Sequence, residues 1–177
     1  MSVVVANELT QRFGSELALD AGERPVAAVA VVNDAMVARA RDRVRETKDP
    51  TAHAIITALR EAARRLGPGA LADATVFCTR EPCPMCVGAL LESDVGALVY
   101  AVPNVVDGAA GTVIQLAQHP GLGRRLQVVS GIRQAEAEEL FAAHRSGRTI
   151  LPDRPLDTPA CGPTAAAIPS KKHYSAV

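Results

Sequence analysis

Three residues with metal-binding chemistry stand at a spacing that metal sites use. One is the histidine of Thr51-Ala-His53-Ala-Ile55; the others are the cysteines of Glu81-Pro-Cys83-Pro-Met-Cys86, with thirty residues from His53 to Cys83. An imidazole and two thiolates form a borderline-soft donor set suited to Zn2+. Three protein ligands leave one tetrahedral position open, the arrangement of a catalytic rather than a structural zinc. A Cys-x-x-Cys pair alone also fits a dithiol redox centre or half of a structural zinc site. The proline before Cys83 and the upstream His53 at a helix start weigh toward the metal.

These residues need elements to bring them together. Asp49-Pro50 reads as a helix start, an N-cap acid followed by proline, and a helix of about four turns is expected to run to Leu66 before Gly67-Pro68-Gly69. Residues 83–92 read as a second helix. His53 then falls in the first turn of one helix, and Cys83 and Cys86 in the first turn of the next, where the positive helix ends help keep the thiols ionised. Around them the apolar run after Pro25 and the stretch 36–40 read as a β-hairpin whose first strand is buried on both faces. Residues 74–79, 97–102 and 126–130 read as further strands. Residues 3–19, 111–118 and 134–145 are expected to be helical, Glu136, Glu138 and Glu139 forming a solvated face on the last. Strand and helix alternate, so the fold class is α/β, a three-layer α/β/α sandwich on a mixed five-stranded sheet.

The chain has 177 residues, about one domain's worth. With three Phe, two Tyr and no Trp, the core must be built from Ala, Val, Leu and Ile. Nineteen basic and nineteen acidic residues cancel, which excludes binding to nucleic acid chiefly through bulk positive charge and leaves a local basic patch open. Sixteen of the basic residues are Arg, read more simply as compositional bias than as phosphate recognition. From Leu151 onward prolines recur with few large apolar residues, dividing the chain into a domain over 1–150 and a Pro-rich tail over 151–177. That tail is expected to lie across the site of its own or a neighbouring chain. MSVVVANELT lacks a basic n-region, and no run approaches the roughly 18 apolar residues of a membrane span, so a cytoplasmic protein is expected. In a reducing compartment the four cysteines are metal ligands or core thiols rather than disulfides. Cys78 reads as a core thiol; Cys161 and His173 are the alternatives for a fourth metal ligand.

The His53 and Cys83/Cys86 segments resemble the cytidine deaminase-like superfamily of zinc-dependent nucleoside and nucleobase deaminases. Asp49-Pro-Thr-Ala-His53-Ala, Glu81-Pro-Cys-Pro-Met-Cys86, Asp107-Gly-Ala-Ala-Gly111 and His119-Pro-Gly121 are most similar to bacterial tRNA adenosine deaminase and related purine deaminases, over roughly residues 24–147. The resemblance implies the cytidine deaminase-like fold, Zn2+ on His53, Cys83 and Cys86, and substrate contacts at Asp42 and Ala54. In that family zinc-bound hydroxide attacks the ring carbon bearing the amino group, and a Glu two residues after the His shuttles protons. Here that position is Ile55, which neither accepts nor delivers a proton; positioned acid–base catalysis is worth roughly 10²–10⁴ in rate. The Glu is not a ligand, so the metal shell does not depend on it.

Two further departures concern substrate. Adenosine deaminases of this family carry an Asn where this chain has Asp42, and a carboxylate only accepts where an amide also donates. Alternatively, Asp42 faces solvent among Arg39, Arg41, Arg43 and Arg45. Neutral charge and the absence of a basic C-terminal helix make tRNA a doubtful substrate. Glu81, which looks structural in the family, is a weak candidate for a substitute acid–base. The expected function is a zinc-bearing pseudoenzyme acting as partner or scaffold, as the Glu-lacking subunit of the eukaryotic tRNA wobble adenosine deaminase does. The alternative is an active deaminase or related hydrolase on a small nucleobase or nucleoside with a relocated acid–base. A homodimer, or a heterodimer with an active deaminase, is expected.

Overall fold

Pro25 has no N–H to give a sheet, so the ladder begins after it. A computed structural model describes residues 18, 21–67 and 69–147. In it β1 spans Ala27–Val32 and β2 spans Ala35–Arg41. They join at Asn33 and Asp34, both with positive φ (48° and 60°), the turn whose twist suits antiparallel strands. One helical turn follows, α1 over Val44–Thr47. Its start is fixed from a distance: the buried Glu23 carboxylate accepts the amides of Arg45 and Glu46 at 2.7 and 2.9 Å.

The next helix, α2, spans Ala54–Leu66 and starts later than Asp49-Pro50 predicts. The Asp49 side chain is spent locally, accepting the Thr51 amide at 2.8 Å and hydroxyl at 2.7 Å in a turn. The backbone is extended at His53 (φ −70°, ψ 151°), which becomes the N-cap rather than a first-turn residue. After it come β3 (Thr75–Arg80), α3 (Pro84–Glu92), β4 (Ala97–Val102), β5 (Gln127–Ser130) and α4 (Gln134–Arg145).

The strands form one mixed sheet in the order β2-β1-β3-β4-β5. Strand β1 runs antiparallel to β2 and β3, whereas β3, β4 and β5 are parallel. Parallel neighbours need a crossover. Helix α3 supplies the one from β3 to β4, and residues 103–126 supply the one from β4 to β5. The helix expected over 111–118 is absent there. Gly111 sits at φ +138°, and the amides of Val113 and Ile114 fold back onto the Gly108 carbonyl while those of Leu116 and Ala117 reach the Ala109 carbonyl. Those donors close a loop instead of a helical ladder.

One face of the sheet packs beneath α2 and α3, with Ala28, Ala30, Val76, Cys78, Leu98 and Tyr100 meeting Ile55, Leu59, Val87 and Leu90. Val29, Val31, Phe77 and Val99 form a second buried cluster. Alanines at 28 and 30 keep β1 thin where α2 lies on it. Among the described residues no helix is long and apolar enough to cross a membrane. The helix expected over 3–19, apart from Ala18, the tail 151–177 with Cys161 and His173, and the boundary near 150 lie outside the described residues.

Candidate metal centre

Two helix starts bring the donors together. His53 caps α2 and Cys83 caps α3; Pro84 opens α3 without wasting an amide, and Cys86 follows in its first turn. His53 Nδ1 lies 3.6 Å from Cys83 Sγ and 3.5 Å from Cys86 Sγ. One donor atom from each of the three lies within 4.8 Å of the others. Among the described residues this is the His/Cys/Asp/Glu cluster that could hold a metal ion, and its two sulfurs and one ring nitrogen fit Zn2+ with a coordination position to spare. Cys78 stays outside it, buried on β3 with its thiol pushed up to about 12 by the apolar surroundings, as a core residue should be.

A hydrogen bond from Cys86, aided by His53, holds the Cys83 thiol down at about 4, and the neighbouring thiolate together with burial pushes Cys86 the other way. The Cys83 thiolate also raises His53 above its ordinary range. Binding a metal therefore displaces protons from this set.

Around the donors, sequence reasoning missed a central residue. Arg24, on the approach to β1, places one guanidinium nitrogen 2.8 Å from Asp42 Oδ2 and 3.1 Å from His53 Nε2. Nothing in the local sequence marks it, because its partners lie eighteen and twenty-nine residues away. Asp42 is fully buried and not solvent-facing; its Oδ1 accepts the Ala54 amide at 2.8 Å, an anionic cap on α2 supplied from the end of β2. Burial raises the Asp42 carboxyl above its usual range, and Arg24 opposes that rise. The backbone of Ala54 is thereby occupied.

Glu81 is buried and wholly engaged. Its Oε1 accepts the amides of Ala110 and Thr112, both at 3.0 Å, and its Oε2 accepts that of Asn104 at 2.9 Å. It pins the loop beside the cysteines, and Gly108 passes so close that a Cβ there would lie 2.5 Å from the Asn104 carbonyl. Arg80 closes the rim, donating to Asn104 Oδ1 at 2.7 Å with its guanidinium 5.6 Å from the Phe141 ring centroid. Ile55, 2% exposed, lines the pocket and belongs to the core cluster at once. The cavity among these residues is about 30 Å3. That is about the space of one water, against roughly 300 Å3 or more for a typical small-molecule pocket.

Residues 8–102 match the family model for the cytidine and deoxycytidylate deaminase zinc-binding region. The chain is 37% identical over 123 residues to the tRNA-specific adenosine deaminase of Bacillus subtilis, covering 69% of this chain and 76% of that one. It is 42% identical over 167 residues to the tRNA(Ile)-lysidine synthase of Deinococcus radiodurans; that match covers 88% of this chain but only 28% of the relative. Among solved structures, one from a study of tRNA:A34 deaminases and A-to-I editing at the wobble position superposes with a TM-score of 0.73 at 31% identity. It covers 77% of this chain and 98% of that one, and it carries the same cytidine deaminase-like fold.

Proposed function

The chain belongs to the cytidine and deoxycytidylate deaminase family, and from that premise we propose that it holds zinc without carrying out hydrolytic deamination, serving instead as a partner subunit or scaffold. His53, Cys83 and Cys86 would hold the ion, and zinc bound there supplies Lewis acidity that makes a bound water more acidic. What carries the reading is that the position where the resemblance expects the proton-shuttling Glu holds Ile55, which has no carboxylate to take that proton. The carboxylates that line the pocket among the described residues are engaged elsewhere: Asp42 by Ala54 and Arg24, Glu81 by three backbone amides, and one oxygen of Asp107 by the Asn104 side chain. A positioned base contributes roughly 10²–10⁴ in rate. Arg24 and Ile55 also narrow the space beside the donors to about 30 Å3.

Metal analysis with an ammonia-release assay across nucleobases and nucleosides tests the proposal. About one zinc per chain and no turnover are expected; rapid turnover by the unmodified protein would sink it and favour the alternative, an active deaminase with a relocated acid–base. Ile55→Glu alone is expected to stay silent because Arg24 still narrows the pocket beside the donors. Ile55→Glu combined with Arg24→Ala separates a narrowed pocket from a drifted one, since ammonia release from the double variant shows that a base still fits.

An apolar surface supports the partner role. An apolar groove of about 440 Å3 runs between α3 and the 116–124 segment, lined by Leu91, Leu116 and Leu122. Nearby, Met85, Val113 and Ile114 are exposed. The occupant proposed is a second copy of this chain, with an active deaminase as the alternative partner.

A further inference from the structure

The neutral chain is not evenly neutral. Seven of the sixteen arginines lie between residues 39 and 65; with Lys48 they make eight cations against four acids there (Asp42, Glu46, Asp49, Glu61), a surplus of four. Folding gathers part of that surplus into a groove of about 370 Å3 between edge strand β2 and α2. Among the described residues Arg39, Arg43, Arg64 and Arg65 line it, with Glu61 as the single acid. It shares no lining residue with the metal centre.

Existing ion pairs leave the groove cationic. Glu61 takes Arg64 at 2.8 Å and Arg65 at 2.7 Å, and Glu46 takes Arg41 and Arg43 at 2.6 Å each, so two carboxylates are each shared by two guanidiniums. The Arg43 and Arg64 side chains remain 44% and 71% exposed; Arg65 is 47% exposed, and it also donates to the Val37 carbonyl at 3.0 Å. Like charges held on a concave surface repel, and an anion relieves that repulsion. Guanidinium forks match phosphate oxygens in pairs, which a lysine cluster does not. Among the described residues no aromatic ring lines the groove to stack a base. Its volume suits a small ligand rather than a macromolecule's face.

We infer that this groove binds a short phosphate chain, either inorganic oligophosphate or the phosphate tail of a nucleotide. The inference is independent of whether the metal centre turns over.

Calorimetric titration of inorganic triphosphate into the zinc-loaded protein at low ionic strength tests it, followed by ATP and by a ten-residue oligouridine. Saturable binding of one triphosphate per chain is expected, weakened at least about tenfold by Arg43→Ala with Arg64→Ala. Glu61→Gln, which removes the groove's only acid, should tighten it about two- to fivefold; this variant keeps the test decisive should the double alanine variant fail to fold. Arg125→Ala, away from the groove, should change nothing. Equal affinities for triphosphate and ATP assign the site to the free chain, and a preference for ATP assigns it to a nucleotide. Absent saturation, undiminished binding in the double variant, or equal weakening by Arg125→Ala overturns the inference. Binding of oligouridine alone does so too, because it would assign the patch to an RNA backbone.

Discussion

At the scale of single residues, the pocket turns on one guanidinium. Arg24 neutralises a buried carboxylate whose other oxygen caps α2, so Arg24→Ala leaves the Asp42 charge buried with only an amide for company. Arg24 is itself half exposed and water replaces part of its effect, so a loss on the order of 1–2 kcal/mol is expected, below the ~3–5 of a fully buried pair. The pH dependence has a definite sign. Asp42 already titrates above its ordinary value in the folded chain, and removing Arg24 raises it further. A raised folded value favours folding at low pH, where Asp42 carries its proton in both states, and the penalty grows as pH climbs through the folded value. Thermal melts of wild type and Arg24→Ala should therefore diverge more at pH 7.5 than at pH 4.5; the opposite order would mean that Asp42 carries no uncompensated charge. His53, Cys83 and Cys86 were legible from the sequence because donor chemistry and spacing are local. Arg24 was not, since its role exists only once the end of β2 reaches the start of α2.

Among the elements, Glu81 does for the 104–112 loop what Asp42 does for α2. Both are buried carboxylates substituting for backbone partners that irregular segments lack. Glu81→Ala orphans three amides beside the cysteines. It should cost on the order of 3–5 kcal/mol and loosen zinc, because the Pro82 carbonyl, next to Cys83, takes the Ala109 amide of the same loop. Denaturant melts with metal retention check this; an unchanged midpoint would show that the loop finds other partners. Every strand and the last helix were predicted within a residue or so, since alternation and apolar runs are properties of short windows. The start of α2 and the 111–118 helix were misplaced for one reason. In both places a side chain or carbonyl in the loop captures the amides that a helix would use, and such competition does not show in propensity.

For the molecule as a whole, the apolar groove and its exposed neighbours predict self-association. Sedimentation should give twice the chain mass at micromolar concentration, and Leu116→Asp with Leu122→Asp should return the monomer while zinc content stays at one per chain. A monomeric wild type would count against the dimer. Zero net charge excludes binding chiefly through bulk positive charge and leaves a local basic patch open; counting charge by place finds such a segment, with four surplus cations. The narrow pocket also ties two positions together. Placing Glu at 55 by itself sets an anion within the core cluster of Leu59, Leu90 and Cys78, while removing Arg24 by itself strands Asp42. Either exchange alone therefore costs the fold, one by setting a charge among apolar side chains and the other by leaving Asp42 without its counter-ion. Positions 24 and 55 are thereby coupled, and each limits what the other can become.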